Sequence, residues 1–368
     1  MPIDEKSFIP YQLGSDGAHR DPLDLRDFSY DNIVAAAAPV TIDWIKGFDI
    51  RNILGGDIKI KCQFQSLSCV GQGWSYYIWV KQIIEMMNLY GMNLAQLRVA
   101  HAAEVDEVSA KAIYSQIFLS QGGAYIRDGA QLAISWGSLF EKLVPSINPA
   151  TGIAEENFMR DRSWQTKAMN DLAKTLCGLE FAVINACDNM DLFAQAILQN
   201  HGVVGGVEGQ NGRGWNTENP QAPTIDRNSV WRHCLYYGAF GTDEKGRFIA
   251  TPNSWGNAFQ DPIRDWKPGD PPGDGWQKLR ADYFNLTDQF NPWTYVDKPN
   301  KPQETTMATN IKIIKDANSP AVGIWLPATS PEALESYCLN FGIIVPKKAD
   351  GSIDWEKLID GELTLKTK

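Results

Sequence analysis

The stretch QFQSLSCVGQGWS, residues 63–75, places Cys69 in a turn of small polar residues, just before a run of aromatic residues. Apolar residues then recur with helical spacing, and Gly91 supplies a typical helix end. We therefore predict a buried helix over about 70–90 that begins close to Cys69. The positive end of a helix dipole lowers the pKa of a thiol. The stretch thus predicts an exposed cysteine nucleophile at the start of a helix.

Thiol catalysis also needs donors for the oxyanion that forms when sulfur attacks a carbonyl. The backbone N–H of Cys69, in the first helical turn, has no acceptor within its own helix. Gln63, six residues earlier, carries a side-chain amide that can supply a second donor. We expect these two groups to form the oxyanion site.

A base for the thiol is expected among four histidines, at 19, 101, 201 and 233. His233 lies in the strand-like run 231–240, and Asn253 follows the next such run within the sequence NSWG. Neighbouring antiparallel strands would place the two side chains together. The Asn253 carbonyl would then accept from one ring nitrogen and leave the other for Cys69, with Trp255 shielding that bond. His101 and His201 are interpreted as helix-end residues.

The order Gln63, Cys69, His233 and NSWG at 253–256 resembles the papain-like cysteine peptidases, particularly their bacterial and viral branches. The resemblance spans about residues 41–285 and includes three further segments. TIDW (41–44) resembles the start of the mature enzyme, and SQGGAYIRDGAQLAISWG (120–137) resembles the glycine pair and the helix that follows it. NHGVVGGVE (200–208) resembles the strand beside the specificity pocket. The resemblance implies Cys69, His233, Asn253 and Gln63 as catalytic residues. It implies Gly122, Gly123 and Trp255 as substrate-binding residues.

The resemblance also implies an α+β, papain-like two-lobe fold, with a helical lobe over about 41–180 and an antiparallel β-rich lobe over about 181–297. Helical patterns at about 109–119, 128–136, 161–176 and 191–200, followed by strand-like runs at 202–208, 231–240, 246–255 and 275–284, agree with that order. We further predict an N-terminal arm (1–40), a peptidase domain (41–297), a linker (298–307) and a small C-terminal module (308–368) of unknown role.

Several residues depart from the family pattern. Leu67 and Val70 replace the glycine and the aromatic residue that flank the nucleophile, and Cys62 precedes Gln63, so the family's disulfide there is not expected. Arg232 replaces a small residue before the histidine, where a cation disfavours imidazolium unless it points away. Histidine and asparagine follow the nucleophile at longer spacing than usual, which we attribute to a polar insertion at 210–230.

Composition sets limits on the function. A formal charge of −10 over 368 residues argues against nucleic-acid binding, and no apolar run is long enough for a membrane span. The N-terminus does not read as a signal peptide, which favours a cytoplasmic or virion-associated protein. The six cysteines form no CxxC or zinc pattern and are expected to be mostly reduced. No metal or organic cofactor is implied, and the C-terminal module is a possible partner-binding site.

The sequence therefore predicts a cysteine endopeptidase that hydrolyses peptide or protein substrates through a thioester acyl-enzyme. One alternative is a papain-fold amidase or acyl transferase that uses the same residues with another acceptor. A second alternative is a catalytically silent structural or binding component of a viral or phage assembly. Self-inhibition, if present, would come from the N-terminal arm or the C-terminal module.

Overall fold

The computed structural model describes residues 16–24, 27–36, 40–64, 66–102, 104–174, 180–215, 217–224, 230–256 and 275–296, with 343–344, 348 and 364–365 further on. The chain forms two compact units, residues 1–297 and 298–368. The predicted linker at 298–307 lies outside the described residues. In the second unit, Ile343–Ile344 pairs antiparallel with Thr364–Leu365.

Among the described residues of the first unit, one helix of 22 residues is at least twice as long as any other. The described helices are α1 (Tyr30–Ala36), α2 (Ile50–Leu54), α3 (Cys69–Tyr90), α4 (Leu94–Ala100), α5 (Ala110–Ile117), α6 (Ile126–Ser135), α7 (Glu156–Arg160), α8 (Lys167–Ala173) and α9 (Met190–Asn200), with a 3₁₀ turn at Ala281–Tyr283. The predicted start of α3 close to Cys69 is confirmed. Its predicted end is also confirmed, because Gly91 adopts a φ of 64° and its N–H bonds the Met87 carbonyl.

One predicted helix is shorter than expected. The pattern over 161–176 contains α8, which begins only at Lys167. The hydroxyl of Thr166 accepts the N–H of Met169 and so caps this start. Residues 161–166 form turns instead, in which the Asp161 carboxylate accepts from the N–H and hydroxyl of Ser163.

Within the described residues of the first unit, the strands form two four-stranded antiparallel sheets and one short parallel pair. They are β1 (Ala18–His19), β2 (Phe48–Asp49), β3 (Ala124–Tyr125), β4 (Phe181–Val183), β5 (Val203–Gln210), β6 (Val230–Tyr237), β7 (Ala239–Asp243), β8 (Gly246–Pro252), β9 (Trp276–Arg280) and β10 (Gln289–Tyr295). The two sheets have the orders β4-β10-β5-β6 and β2-β7-β8-β9, and β1 pairs with β3. This arrangement confirms the predicted α+β, two-lobe fold.

The predicted strand at 231–240 is in fact two strands that belong to different sheets. The chain leaves β6, passes Gly238 and enters β7. The Gly238 carbonyl accepts from Ile50, and its N–H donates to Ala250. A side chain at Gly238 would lie within 3.0 Å of Tyr236 and Ile50, so only glycine fits at this crossing. The crossing is what brings β6 next to β8.

The start of α3 packs unusually closely on its neighbours. A Cβ on Gly71 would lie 2.7 Å from the Ala110 carbonyl oxygen of α5, and one on Gly73 would lie 3.2 Å from the Cys234 sulfur of β6. The two glycines of VGQGW therefore let the helix that carries Cys69 approach both lobes. No helix within the described residues has the length and apolarity to cross a membrane.

Candidate active site

Cys69 is the first residue of α3, and Ser68 occupies the N-cap position. The Ser68 side chain makes no capping bond to the helix, and its hydroxyl pairs instead with the Ser66 hydroxyl at 2.7 Å. The structure contradicts one expectation, because Cys69 is fully buried rather than exposed. The N-terminal arm, described below, lies along the neighbouring surfaces.

Gln63 is held in one orientation by the segment that follows β8. Its backbone N–H donates to the Ser254 carbonyl at 2.7 Å, and its side-chain oxygen accepts from the Ser254 hydroxyl at 2.6 Å. Its side-chain nitrogen donates to the Ser66 carbonyl at 3.0 Å. The amide therefore directs its donor end toward the turn that leads into Cys69, the end an oxyanion would need.

His233 and Asn253 are in contact, as the sequence predicts, with 2.9 Å between Nε2 and Oδ1. The predicted route to that contact is wrong, since β6 and β8 lie in different sheets rather than side by side in one. The two strands pack against each other because the chain changes sheets at Gly238. Asn253, one residue beyond β8, then meets the imidazole from the neighbouring sheet.

A buried relay of hydrogen bonds fixes the protonation pattern of this pair. Gln277 of β9 donates through Nε2 to the carbonyls of Trp215 and Thr217, at 2.8 and 3.0 Å. Because carbonyls only accept, the other end of the Gln277 amide must be its oxygen, and it accepts from Asn253 Nδ2 at 2.8 Å. The Asn253 oxygen therefore faces His233, whose Nε2 carries the proton. The remaining ring nitrogen, Nδ1, is the basic one in the neutral imidazole.

Three tryptophans enclose the imidazole. Trp255 stacks on His233 with ring centroids 5.0 Å apart, and Trp215 and Trp231 meet it edge-on at 6.4 and 6.3 Å. His233 is fully buried, and this burial lowers its pKa to about 4, although the hydrogen bond that it donates to Asn253 acts in the opposite direction. The imidazole is therefore neutral at physiological pH in this structure.

Sequence reasoning missed two parts of this environment. Trp215 comes from the segment interpreted as a polar insertion, and Gln277 lies at a fully buried position of β9. For Gln277 the available signal was a polar residue at an inward position of a strand-like run. For Trp215 the signal was only an aromatic residue in an otherwise polar loop.

The glycine pair lies against the N-terminal arm. A Cβ on Gly123, whose φ is 65°, would lie 2.5 Å from the Asp16 carbonyl oxygen. The Ala124 N–H donates to the Gly17 carbonyl, and His19 Nε2 lies 2.9 Å from the Gly122 carbonyl oxygen. Strand β1 of the arm thus runs parallel along the edge that the resemblance assigns to substrate backbone.

Arg232 holds the other side of the same arm. Its backbone carbonyl accepts from the Gly17 N–H, and its own N–H donates to the Asp16 carboxylate. The guanidinium pairs with Asp16 at 2.8 Å and with Glu208 at 3.2 Å. Successive strand residues point to opposite faces, so this cation is directed away from the His233 ring and does not disfavour the imidazolium there.

The helix-end positions predicted for two other histidines are confirmed. His101 and His201 are the C-caps of α4 and α9. Cys62, Cys69, Cys187 and Cys234 are not in disulfides, while Cys177 and Cys338 lie outside the described residues. Among the residues that the structure describes, no cluster of three or more His, Cys, Asp or Glu has an arrangement that could hold a metal ion.

Solved structures of cysteine proteases share this fold. Xylellain, a cysteine protease from Xylella fastidiosa, is 18% identical, with a TM-score of 0.53 over 78% of this chain and 98% of its own. A digestive procathepsin L2 proteinase from the Tenebrio molitor larval midgut is 13% identical, with a TM-score of 0.50 over 81% of each chain. No protein-family model and no curated protein sequence matches the chain. The fold is thus that of the papain-like cysteine proteases, and the resemblance inferred from the motifs is confirmed at the level of fold.

Proposed function

We propose that the protein is a cysteine endopeptidase in which Cys69 is the nucleophile. The sulfur attacks the peptide carbonyl carbon while its proton passes to Nδ1 of His233. The oxyanion accepts from the backbone N–H of Cys69 and the side-chain amide of Gln63. The C–N bond then breaks, the amine leaves with the proton from His233, and a thioester remains. Water, deprotonated by the same imidazole, hydrolyses the thioester and restores the thiol.

The observation that carries this proposal is the relay from the Trp215 and Thr217 carbonyls through Gln277 and Asn253 to His233. A chain of acceptors and donors that leaves Nδ1 as the basic nitrogen is what general-base catalysis requires. A buried histidine that served packing alone has no need of a particular tautomer. The enclosing tryptophans support the same role by keeping water from the Nε2 bond.

The contacts of the N-terminal arm support a further part of the proposal, a resting state in which the arm covers the active site. Asp16 and Gly17 bond to Arg232 on one side and lie against Gly123 on the other. A peptide substrate that pairs with the Gly122–Gly123 edge would compete with these contacts. Activity therefore depends on displacement of the arm.

The test is covalent labelling of the full-length native protein with a thiol-reactive peptidyl epoxide, followed by mass spectrometry to locate the label. Labelled Cys69, together with cleavage of a denatured protein that is lost in Cys69→Ala, supports the proposal. Cys187→Ala is a matched control, since Cys187 is likewise buried and not in a disulfide. An acyl-enzyme formed from esters or amides without protein cleavage would favour the amidase or acyl transferase. Failure to label Cys69 under all conditions tested, with no cleavage, would refute the enzyme.

A further inference from the structure

The exposed side chain of Arg20, in the N-terminal arm, lies against strands β5 and β10. Its Nη2 lies 3.1 Å from Glu208 Oε1 and also donates to the Thr287 carbonyl. Its guanidinium carbon stands 4.6 Å above the centre of the Phe290 ring. We call the site formed by Glu208, Phe290 and the Thr287 carbonyl the Glu208 pocket. This site offers a guanidinium a negative charge from Glu208, a hydrogen-bond acceptor from the Thr287 carbonyl and the face of the Phe290 ring.

The walls of the Glu208 pocket are fixed by the fold and do not depend on Arg20. Phe290 is 2% exposed, and its ring lies over Gly206, where a Cβ would be 2.1 Å from a ring carbon. Glu208 is 5% exposed, and its backbone N–H donates to the Asp288 carbonyl at 2.7 Å. A buried carboxylate requires a charged or hydrogen-bonding partner, so this position favours a cation above the ring.

The Glu208 pocket lies on the strand pair that carries the proposed base. In the β5–β6 register, Glu208 faces Arg232 and Val207 faces His233. The arm reaches the pocket only one residue after His19, whose ring contacts the Gly122 carbonyl. A peptide that replaced the arm along the glycine edge would therefore bring one of its own side chains to the Glu208 pocket.

We propose that the Glu208 pocket selects an arginine or lysine side chain of the substrate, and that Arg20 occupies it as an internal stand-in. This inference rests on the proposed function, since it names the substrate class of that site. Arg232 also bonds to Glu208 Oε1, but a carboxylate offers about four lone-pair sites and can serve both guanidinium groups. Departure of the arm removes Arg20 and leaves its place above Phe290 for a substrate cation.

The test measures binding as well as cleavage, so that the two proposals can fail separately. Full-length Arg20→Ala, with and without Glu208→Gln, is assayed with fluorogenic peptides that carry arginine, citrulline or norleucine at each position in turn. The same peptides are titrated by fluorescence anisotropy against the chain that also carries Cys69→Ala. Glu107→Gln, which alters a carboxylate paired with Lys59 elsewhere, is the matched control. Thermal unfolding confirms that each variant is folded.

We expect arginine at one position to improve binding by at least about tenfold over its neutral isostere citrulline, and Glu208→Gln to abolish that preference. Selective arginine binding by a chain that cleaves nothing would leave the pocket in place and refute the protease. Cleavage with equal use of arginine, citrulline and norleucine would refute the pocket and leave the protease. An arginine preference that survives Glu208→Gln would also overturn the inference.

Discussion

At the residue scale, the tautomer of His233 is set by two backbone carbonyls that it does not contact. Two side chains, Asn253 and Gln277, connect it to them. The backbone carbonyls of Trp215 and Thr217 set the orientation of the Gln277 amide, which sets that of Asn253. A reversed Gln277 amide would present its N–H to that of Asn253, and a reversed Asn253 amide would present its oxygen to that of Gln277. The neutral tautomer of His233 is therefore fixed by unambiguous acceptors at the far end of the relay.

Gln277→Leu should lower activity without loss of the fold. Asn253 Nδ2 would lose its acceptor, so its amide could rotate and the preference for the Nε2–H tautomer would weaken. We expect kcat on a fluorogenic peptide to fall about a hundredfold, the lower end of what a positioned base contributes, with KM changed little. Gln195→Leu, at a buried position in α9, should leave kcat unchanged. A fall in KM and kcat together, or equal effects of both variants, would contradict the relay.

The buried neutral imidazole also predicts how stability depends on pH. The pKa of His233 is lowered to about 4 in the fold, against about 6.5 when unfolded. The stabilisation is therefore complete above pH 6.5 and is lost as the pH falls toward 4. From pH 7 to pH 5 this histidine should cost about 2 kcal/mol of unfolding free energy.

The measurement is urea unfolding at both pH values of the Cys69→Ala chain, with and without His233→Gln. Removal of the Cys69 thiol keeps the proposed thiol–imidazole interaction out of the comparison. The chain with His233 should lose about 2 kcal/mol more than the chain without it. Equal losses would show that the histidine titrates near its ordinary pKa.

At the element scale, close packing explains why Gly71 and Gly73 follow Cys69, in a segment where the sequence departs from the family pattern. The predicted helix is present, but helical periodicity says nothing about how near its neighbours approach. Gly71 lies where a Cβ would be 2.7 Å from the Ala110 carbonyl oxygen and 2.8 Å from the Cβ of Tyr114. The segment VGQGW is thus a packing surface, in which small residues bring α3 close to α5 and β6.

Gly71→Ala should destabilise the protein even though alanine is the better helix former. The added methyl group would force α3 away from α5, and overpacking of this kind costs about 1–3 kcal/mol, more than the gain in helix propensity. Gly56→Ala is the control, because a Cβ there meets only the Leu94 side chain, at 3.8 Å. We expect urea unfolding to show a loss of about 2 kcal/mol for Gly71→Ala and almost none for Gly56→Ala.

Strand β10 could not be predicted from the sequence, for a physical reason. Strand β10 contains Pro292, which removes a backbone donor and normally argues against an inner strand. The register of β10 against β5 shifts between Phe290 and Trp293, so the proline lies at an irregularity, and its carbonyl accepts from Ile184. Long-range pairing therefore overrides a local signal that would have excluded the strand. Periodic segments such as α3 and β5 show no such conflict and were predictable.

In the candidate site, too, one feature was predictable from the sequence and another was not. The order of Gln63, Cys69, His233 and Asn253 along the chain predicts a contact between the last two, and that contact is confirmed. Their catalytic roles stay predictions. The burial of Cys69 was not predictable from its polar turn, because it depends on packing with residues distant in the chain.

At the scale of the whole molecule, the N-terminal arm joins the two lobes through Asp21. Its carboxylate accepts from the Arg127 N–H at the start of α6 and from the Trp293 indole of β10, at 3.1 and 2.9 Å. Its own N–H donates to the Asn291 side chain. The predicted arm over 1–40 thus contains a half-buried acidic anchor just beyond Arg20.

The desolvation of the Asp21 carboxylate makes arm docking sensitive to pH. Desolvation raises the pKa of Asp21 to about 6, although the backbone N–H of Arg127 and its guanidinium act against the shift and Asp128 adds to it. A carboxyl with a raised pKa takes up a proton on docking, so docking is strongest below the ordinary pKa of about 3.9 and weakens as the pH rises through 6. Between pH 5 and pH 7 the docking constant should fall about tenfold.

This weakening should appear as faster labelling of Cys69 at neutral pH. The thiol has its own pH dependence, so the quantity to measure is the ratio of labelling rates, wild type to Asp21→Asn, at pH 5 and at pH 7. The asparagine cannot take up the proton, and the ratio should therefore rise by about tenfold over that range. Asp171→Asn, at an exposed position in α8, should give a constant ratio. A constant ratio for Asp21→Asn as well would mean that the arm does not control access to Cys69 through this carboxyl.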